Sequence, residues 1–351
     1  MKAISKSKCL PYFKDPPCFL TKLLPLIFLT TLILSPRLCA QQDDIEFEHI
    51  SYEEGLADNW IYCIFQDSKG FMWFGTYNGL NRYDGYRFTV FKPDPEESHS
   101  SSNLIKSICE DSYGVLWIGT NDGGLYTFNR EKEEYHPCKI DQSRYYRNDQ
   151  SFPIIYALSN VKSIYEDRSG ILWIGTNGAL SKLDRKRNIF VHYKIYPGTP
   201  QNSKCNAVNS IYEDHLGVLW IGTNGGGLNK FDREKEVFIH YKNIPNEPLS
   251  LSNDFVWSIY EDHLGILWIG TAGGGLNRFD REKEKFFHYQ NDPNDNNSLS
   301  DNFVYSIYED QSGVLWIGTS RGGLNRFDRA KERFTHYRKK DGLPNEGILV
   351  P

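Results

Sequence analysis

Residues 255–290 read FVWSIYEDHLGILWIGTAGGGLNRFDREKEKFFHYQ, and their pattern parses into four short strands joined by tight turns. Phe255 to Glu261 is a β-branched and aromatic run, the composition of a strand (strand A). Asp262-His263-Leu264-Gly265 follows, with Asp first and Gly fourth in a type I turn. Ile266 to Thr271 is strand B, the Gly-rich Ala272 to Gly275 a tight loop, and Leu276 to Phe279 strand C. A polar turn around Asp280 to Glu284 leads to strand D, Lys285 to Gln290, and a Pro/Asn/Ser-rich linker, Asn291 to Asn302, carries the chain onward.

The core of this stretch recurs. D-x-x-G-x-x-W-x-G-T occurs six times, at Asp67–Thr76, Asp111–Thr120, Asp167–Thr176, Asp214–Thr223, Asp262–Thr271 and Asp310–Thr319. Its tryptophans, Trp73, Trp117, Trp173, Trp220, Trp268 and Trp316, are spaced by 44, 56, 47, 48 and 48 residues. Four up-and-down strands per period of this length describe a blade of a β-propeller; a β-helix uses shorter coils, and a sandwich does not repeat one Trp so regularly. The expected fold is therefore all-β, a propeller of four-stranded blades over about 57–91, 101–138, 157–195, 204–243, 252–290 and 300–338. The repeated Trp and the Gly two residues later read as packing between blades, and the repeated Asp reads as the holder of the A–B turn.

The two ends are read against the same repeat. Ile45 to Ser51 resembles strand D and has no blade before it, and Asp341 to Pro351 resembles a linker and the start of a strand A. Because closed propellers remove exposed strand edges, this predicts an N-terminal outer strand belonging to a seventh blade whose copy at 341–351 is truncated by about thirty residues.

Lys2, Lys6, Lys8, Lys14 and Lys22 precede the apolar run Leu23 to Leu34, and Leu38-Cys39-Ala40 follows before the polar Gln41. This order is that of a secretory signal peptide over residues 1–40, and a dozen apolar residues are too few to span a hydrocarbon layer of about 30 Å. The long basic region leaves an uncleaved anchor open, while Pro36-Arg37-Leu38 lacks the small residue expected before a lipidated Cys39. Without the leader's six Lys/Arg and one Asp, 34 basic residues face 44 acidic ones, a net charge of −10. That balance, with no polybasic patch, argues against a nucleic-acid partner. The four cysteines after the leader, Cys63, Cys109, Cys138 and Cys205, do not recur at one repeat position, so neither disulfides nor a metal site is indicated.

The string V-x-S-I-Y-E-D-x-x-G-x-L-W-I-G-T-x-G-G-G-L-N-R-F-D closely resembles the two-component regulator propeller repeat, from about residue 45 to 351. The resemblance implies the periplasmic sensor part of a histidine kinase, often a hybrid kinase anchored in the inner membrane and responding to polysaccharide breakdown products. No kinase core or membrane span appears within the chain after the leader, so signalling output is implied by kinship alone. The Asp-turn-Gly-Trp portion is also similar to the Asp-box of sialidases, a structural turn in those enzymes and no sign of glycosidase activity.

Six internal copies allow variable positions to be told from constant ones. Between a constant Ile or Val and a constant Ser or Cys, the copies hold Tyr62, Lys106, Lys162, Asn209, Trp257 and Tyr305. The B–C loops also vary, with Tyr77, Asn121, Asp122 and Arg321 after the constant Thr. Together these residues are expected to ring one mouth of the channel, where aromatic faces and amides suit a carbohydrate or other polar small ligand; the alternative is solvated loop positions. The insertion Asp141 to Tyr156, with Tyr145, Tyr146, Phe152 and Tyr156, reads as a ligand lid or as a contact with a second copy in a homodimer. The recurrent His192, His240, His288 and His336 lie on outer strands, too far apart to ligate one metal, and no cofactor is expected. Acids that repeat in every blade do not make a unique catalytic pair, so a binding module is expected rather than an enzyme, with a protein-interaction scaffold as the first alternative and a propeller enzyme such as a lyase or glycosidase as the second.

Overall fold

The computed structural model describes residues 45–92, 103–138, 146–147, 160–185, 189–197, 199 and 204–348. From Phe47 onward the chain forms one compact unit of six blades, each an antiparallel sheet with its strands in the order A-B-C-D. In blade five the strands are Val256–Glu261, Leu267–Thr271, Gly275–Asp280 and Lys285–Tyr289, within a residue or two of the bounds read from the pattern. The A strands of the six blades are Ile61–Gln66, Ile105–Glu110, Val161–Glu166, Val208–Glu213, Val256–Glu261 and Val304–Glu309. Each A strand packs against the next, and this places the A strands innermost around the propeller axis.

The repeated Asp does more than hold a turn. Asp262 Oδ1 accepts from the Leu264 and Ile266 N–H groups at 3.0 and 2.9 Å, and Gly265, at φ +76°, closes the turn onto Asp262 O at 2.8 Å. Its other oxygen accepts from the Trp268 indole at 2.8 Å, so turn and tryptophan are one unit. The same oxygen receives Arg329 of the following blade, and that guanidinium also grips Glu309 on the following strand A. The latch recurs between successive blades as Asp67–Arg130–Glu110, Asp111–Arg185–Glu166, Asp167–Arg233–Glu213 and Asp214–Arg281–Glu261. In blade one the Glu and Arg positions hold Gln66 and Gly85, so blade one contributes the Asp alone.

Packing runs beside the latch. Trp268 lies edge to face on Phe327 of the next blade at 5.5 Å and 72°, and Trp73, Trp173 and Trp220 repeat this on Phe128, Phe231 and Phe279 at 5.4–5.5 Å and 70–71°. A Cβ on Gly270 would come within 2.7 Å of Val304 Cγ1 in the next blade and would strike Ser258 Oγ, so only glycine lets the two sheets approach. Trp117 is also buried, whereas Trp316, with no following blade among the described residues, is only half-buried.

Both ends meet blade six. Ile348 stands against Gly318, as Val304 stands against Gly270, and its N–H donates to Thr319 O at 2.9 Å. Phe47 stands edge-on to Tyr337 at 5.6 Å, as Phe334 does to Tyr289 at 6.0 Å. The segment expected as an outer strand nevertheless forms no strand pairing. It sits beside blade six where an outer strand would lie, but no strand C of its own blade stands next to it among the described residues.

One element was not foreseen. Tyr146–Arg147, within the insertion read as a lid, pairs in parallel with strand D of blade three, Ile189–Tyr193, as a fifth strand on the outer rim. Tyr145, Phe152 and Tyr156 lie outside the described residues. The strand D histidines bond locally: His192 Nδ1 to Ser181 Oγ, His240 Nδ1 to Asn229 Oδ1, His288 Nε2 to Ser250 O and His336 Nε2 to Ser298 O, each at 2.7 Å.

Asp262→Ala removes the turn bonds and the indole acceptor and leaves Arg329 half-paired; it is expected to destabilise the fold by about 3–5 kcal/mol, read as a fall in denaturant midpoint. Gly270→Ala is expected to cost about 1–3 kcal/mol through overpacking between blades. Burial pushes the Asp167 and Asp214 carboxyls up, but the indole, arginine and backbone donors outweigh it and hold both below the usual carboxylate range. A depressed folded pKa gives stability that is complete above the unfolded value and lost as pH falls, so the melting temperature is expected to hold at neutral pH and drop below about pH 4.

Candidate functional site

Strand A is bulged at the same place in all six blades. In blade five Val256 stands opposite Thr271 and Ser258 opposite Gly270, which leaves Trp257 without a partner on strand B. The same register shift leaves Tyr62, Lys106, Lys162, Asn209 and Tyr305 unpaired in the other blades. A bulge takes a residue out of the two-residue alternation of a strand and re-aims its side chain. The position whose variation singled it out in the sequence is therefore the bulge residue of the innermost strand.

These six side chains are all half-buried, and they meet from blade to blade. Lys106 Nζ lies over the Tyr62 ring, 4.9 Å from its centre. Lys162 Nζ donates to Asn209 Oδ1 at 3.1 Å, and Asn209 Nδ2 donates to Val256 O, beside Trp257, at 2.9 Å. The Trp257 and Tyr305 rings stand edge to face at 5.2 Å and 75°, and the buried Trp257 Nε1 has no hydrogen-bond partner.

The B–C loops reach the same end of the blades. Tyr77, Asn121 and Ser320 each donate a backbone N–H to the residue just before strand A, Trp60, Leu104 and Phe303, at 3.0–3.1 Å. Tyr77, Asp122 and Arg321 are exposed and Asn121 is half-buried. Asn121 Nδ2 donates to Asp122 at 2.7 Å, its Oδ1 accepts from Asn160 at 3.2 Å, and the Arg321 N–H donates to Asp301 at 2.8 Å. Burial raises the Tyr62 hydroxyl, with Tyr77 and Asp58 adding to the shift, and Asp122 acts on Lys106 against the lowering effect of burial. Burial also pulls the Lys162 ammonium down to about 8, assisted by the charge of Lys106. Of the loop residues, Tyr77 and Asp122 thus act on the bulge residues Tyr62 and Lys106, and Arg321 lies on the loop of blade six.

Three mouth aromatics escaped the sequence reading. Trp60, Phe255 and Phe303, each just before strand A, are 61%, 40% and 38% exposed. The signal was present, because this repeat position varies as Trp60, Leu104, Asn160, Ala207, Phe255 and Phe303. With them the mouth has two sectors: aromatic over blades five, six and one, and cationic over blades two and three. An open cleft of about 500 Å³ lies elsewhere, between the linker Asn243–Pro248 and His288. Its polar groups bond to the chain itself, as Asn243 does to Leu251 O at 2.8 Å and Gln290 to Gly274 O at 3.2 Å, so it offers less to a ligand than the mouth.

Comparison with known proteins agrees with the blade pattern. The family described as two component regulator propeller matches residues 55–78, 99–122, 156–178, 202–225, 250–273 and 298–321. Histidine kinase P4 of Formosa agariphila is 36% identical over 69 residues, 20% of this chain and 5% of that protein. The extracellular domain of the hybrid two component system BT3049 from B. thetaiotaomicron superposes with a TM-score of 0.67 at 26% identity, covering 86% of this chain and 38% of that one. PorZ, a surface component of the type-IX secretion system of Porphyromonas gingivalis, shares the fold at a TM-score of 0.61 and 17% identity, over 86% of this chain and 45% of that one. This chain thus spans less than half of each of these relatives. No helix of the described residues is long and apolar enough to cross a membrane. With six matched repeats, one to each blade, this is a propeller built of two component regulator propeller repeats.

Proposed function

We propose that this chain is the exported, periplasmic ligand-sensing propeller of a two-component system, taking a carbohydrate or other polar small molecule at the channel mouth and passing a change in geometry to a histidine kinase module. The observation that carries the reading is the set of six bulges. A fold that repeats its packing residues almost unchanged turns one residue per blade out of that packing, at one end of the channel, and varies that residue's chemistry. Aromatic faces beside an amide and two ammonium groups match the mixed apolar and hydroxylated surface of a sugar. The leader sequence and the likeness to a histidine kinase and to an extracellular two-component domain support the cellular setting.

The reading is of a binding module rather than an enzyme, since the recurring turn carboxylates are held by indoles and arginines between blades. A protein partner docking on the mouth is the second reading, favoured by the exposed Trp60, Tyr77, Phe255 and Phe303. The 141–156 insertion remains proposed as a contact between two copies.

Titration calorimetry of the chain against a broad panel of plant and host oligosaccharides is expected to find saturable binding to one group of them. Trp257→Ala is expected to weaken it at least about tenfold with the melting temperature unchanged within a few degrees. Silence across the panel removes the small-ligand reading and leaves the protein-docking one.

A further inference from the structure

We infer that the ligand of the mouth is an anion, carrying a carboxylate or sulfate group that sits between Lys106 and Lys162 on adjacent blades. The inference rests on the mouth being the ligand site and names the chemistry of what it binds. It begins from how this protein treats its other cations. Arg130, Arg185, Arg233, Arg281 and Arg329, all largely buried, are each paired with two carboxylates. Lys182 is likewise paired with Glu236 at 3.0 Å. Buried charges are costly unless paired, and these six cations obey that rule.

The mouth breaks the rule. Lys106 and Lys162 are half-buried on neighbouring inner strands, and among the described residues neither ammonium is in an ion pair. The partner of Lys162 is a neutral amide, Asn209, and that of Lys106 is the face of Tyr62. Lys162 thus keeps two N–H donors free of acceptors among the described residues. The bulges turn both side chains out of their own sheets, so the arrangement is built by the backbone and is not a chance of surface rotamers.

Two like charges held close in a half-buried site are unfavourable alone and become favourable once an anion bridges them. The acid that acts on Lys106 is Asp122, exposed on its loop and bonded by Asn121, and Asp58 acts on the neighbouring Tyr62; Tyr62 and Asn209 flank the lysines with no negative charge. Across the ring, Trp257 and Tyr305 offer an apolar face, with the unpartnered Trp257 Nε1 as a further donor. One end of the ligand is therefore acidic and the other presents a ring or a hydrocarbon face, the pattern of an acidic sugar.

The test uses the full chain and two readouts. In the first, lysines are reductively ¹³C-methylated and followed by NMR; Lys162, assigned through Lys162→Arg, is expected to titrate near pH 8, as burial and Lys106 dictate, and to move upward on adding inorganic sulfate. An ordinary titration, about pH 10.4, or indifference to sulfate overturns the inference. In the second, calorimetry compares a glucuronate-containing disaccharide, a sulfated disaccharide and their neutral counterpart. Binding of either charged sugar, at least tenfold tighter than the neutral one, weakened to a similar degree by Lys106→Ala or Lys162→Ala and falling as pH rises above about 8, supports the site; which sugar binds tells carboxylate from sulfate. If the neutral sugar binds equally and Trp257→Ala abolishes it, the mouth remains a ligand site and the anion inference falls. If sulfate shifts Lys162 while no sugar binds, the anion site stands and the carbohydrate reading falls.

Discussion

The carboxylate at the start of each A–B turn is the interaction on which the rest of the ring depends. One oxygen of Asp167 accepts two backbone N–H groups of its own turn, at 2.9 and 3.0 Å, and the other accepts the Trp173 indole at 2.8 Å and the Arg233 guanidinium of the next blade at 2.6 Å. Arg233 also bonds Glu213, and Glu213 reaches back to the Arg168 N–H at 2.7 Å, one residue past the Asp. A local turn, a core side chain and the seam between two sheets are thereby joined through one group. Such a network is strong because both carboxylates and the indole are satisfied, with only Arg233 Nε left without an acceptor, and weak if any one member is removed.

This latch, together with the Gly–Val and Trp–Phe contacts, holds the blades without needing one fixed residue at the bulge position. The bulge position is consequently free to vary. It holds Tyr in two blades, Lys in two, Asn in one and Trp in one, and the sheets around it do not change. The repeated frame explains how one chain presents four kinds of side chain in nearly the same geometry, and why the cations there lack the carboxylates that accompany the five latch arginines. Where the frame itself departs from the repeat, at Gln66 and Gly85 of blade one, that blade offers no Glu and Arg to a preceding Asp and differs in this from the five that follow.

The strands and their order were legible in the sequence because each is local: β-branched runs, an Asp-to-Gly turn and a Gly-rich loop suffice to place strand A to strand D of blade five within two residues. The variable position was legible too, since comparing copies within one chain separates packing from exposure. Its meaning was not, because a bulge is a property of two strands in register and not of either strand's composition. The same limit hid Trp60, Phe255 and Phe303, whose exposure depends on where the linker before strand A runs. The outer strand expected at Ile45 to Ser51 had the right composition and formed no ladder, since hydrogen bonding also needs a neighbouring strand.

From its residues alone the chain determined an all-β repeat fold, six blades, and the pair of Trp and Asp that each blade needs, because periodicity and turn chemistry are written in consecutive residues. Tertiary structure decided what joins the blades and what the mouth contains. Asp167 finds Arg233, 66 residues later, and Lys106 comes to lie beside Lys162 only when two sheets stack around a common axis. Those contacts are long-range, set by the shape of the ring, and no local pattern encodes them.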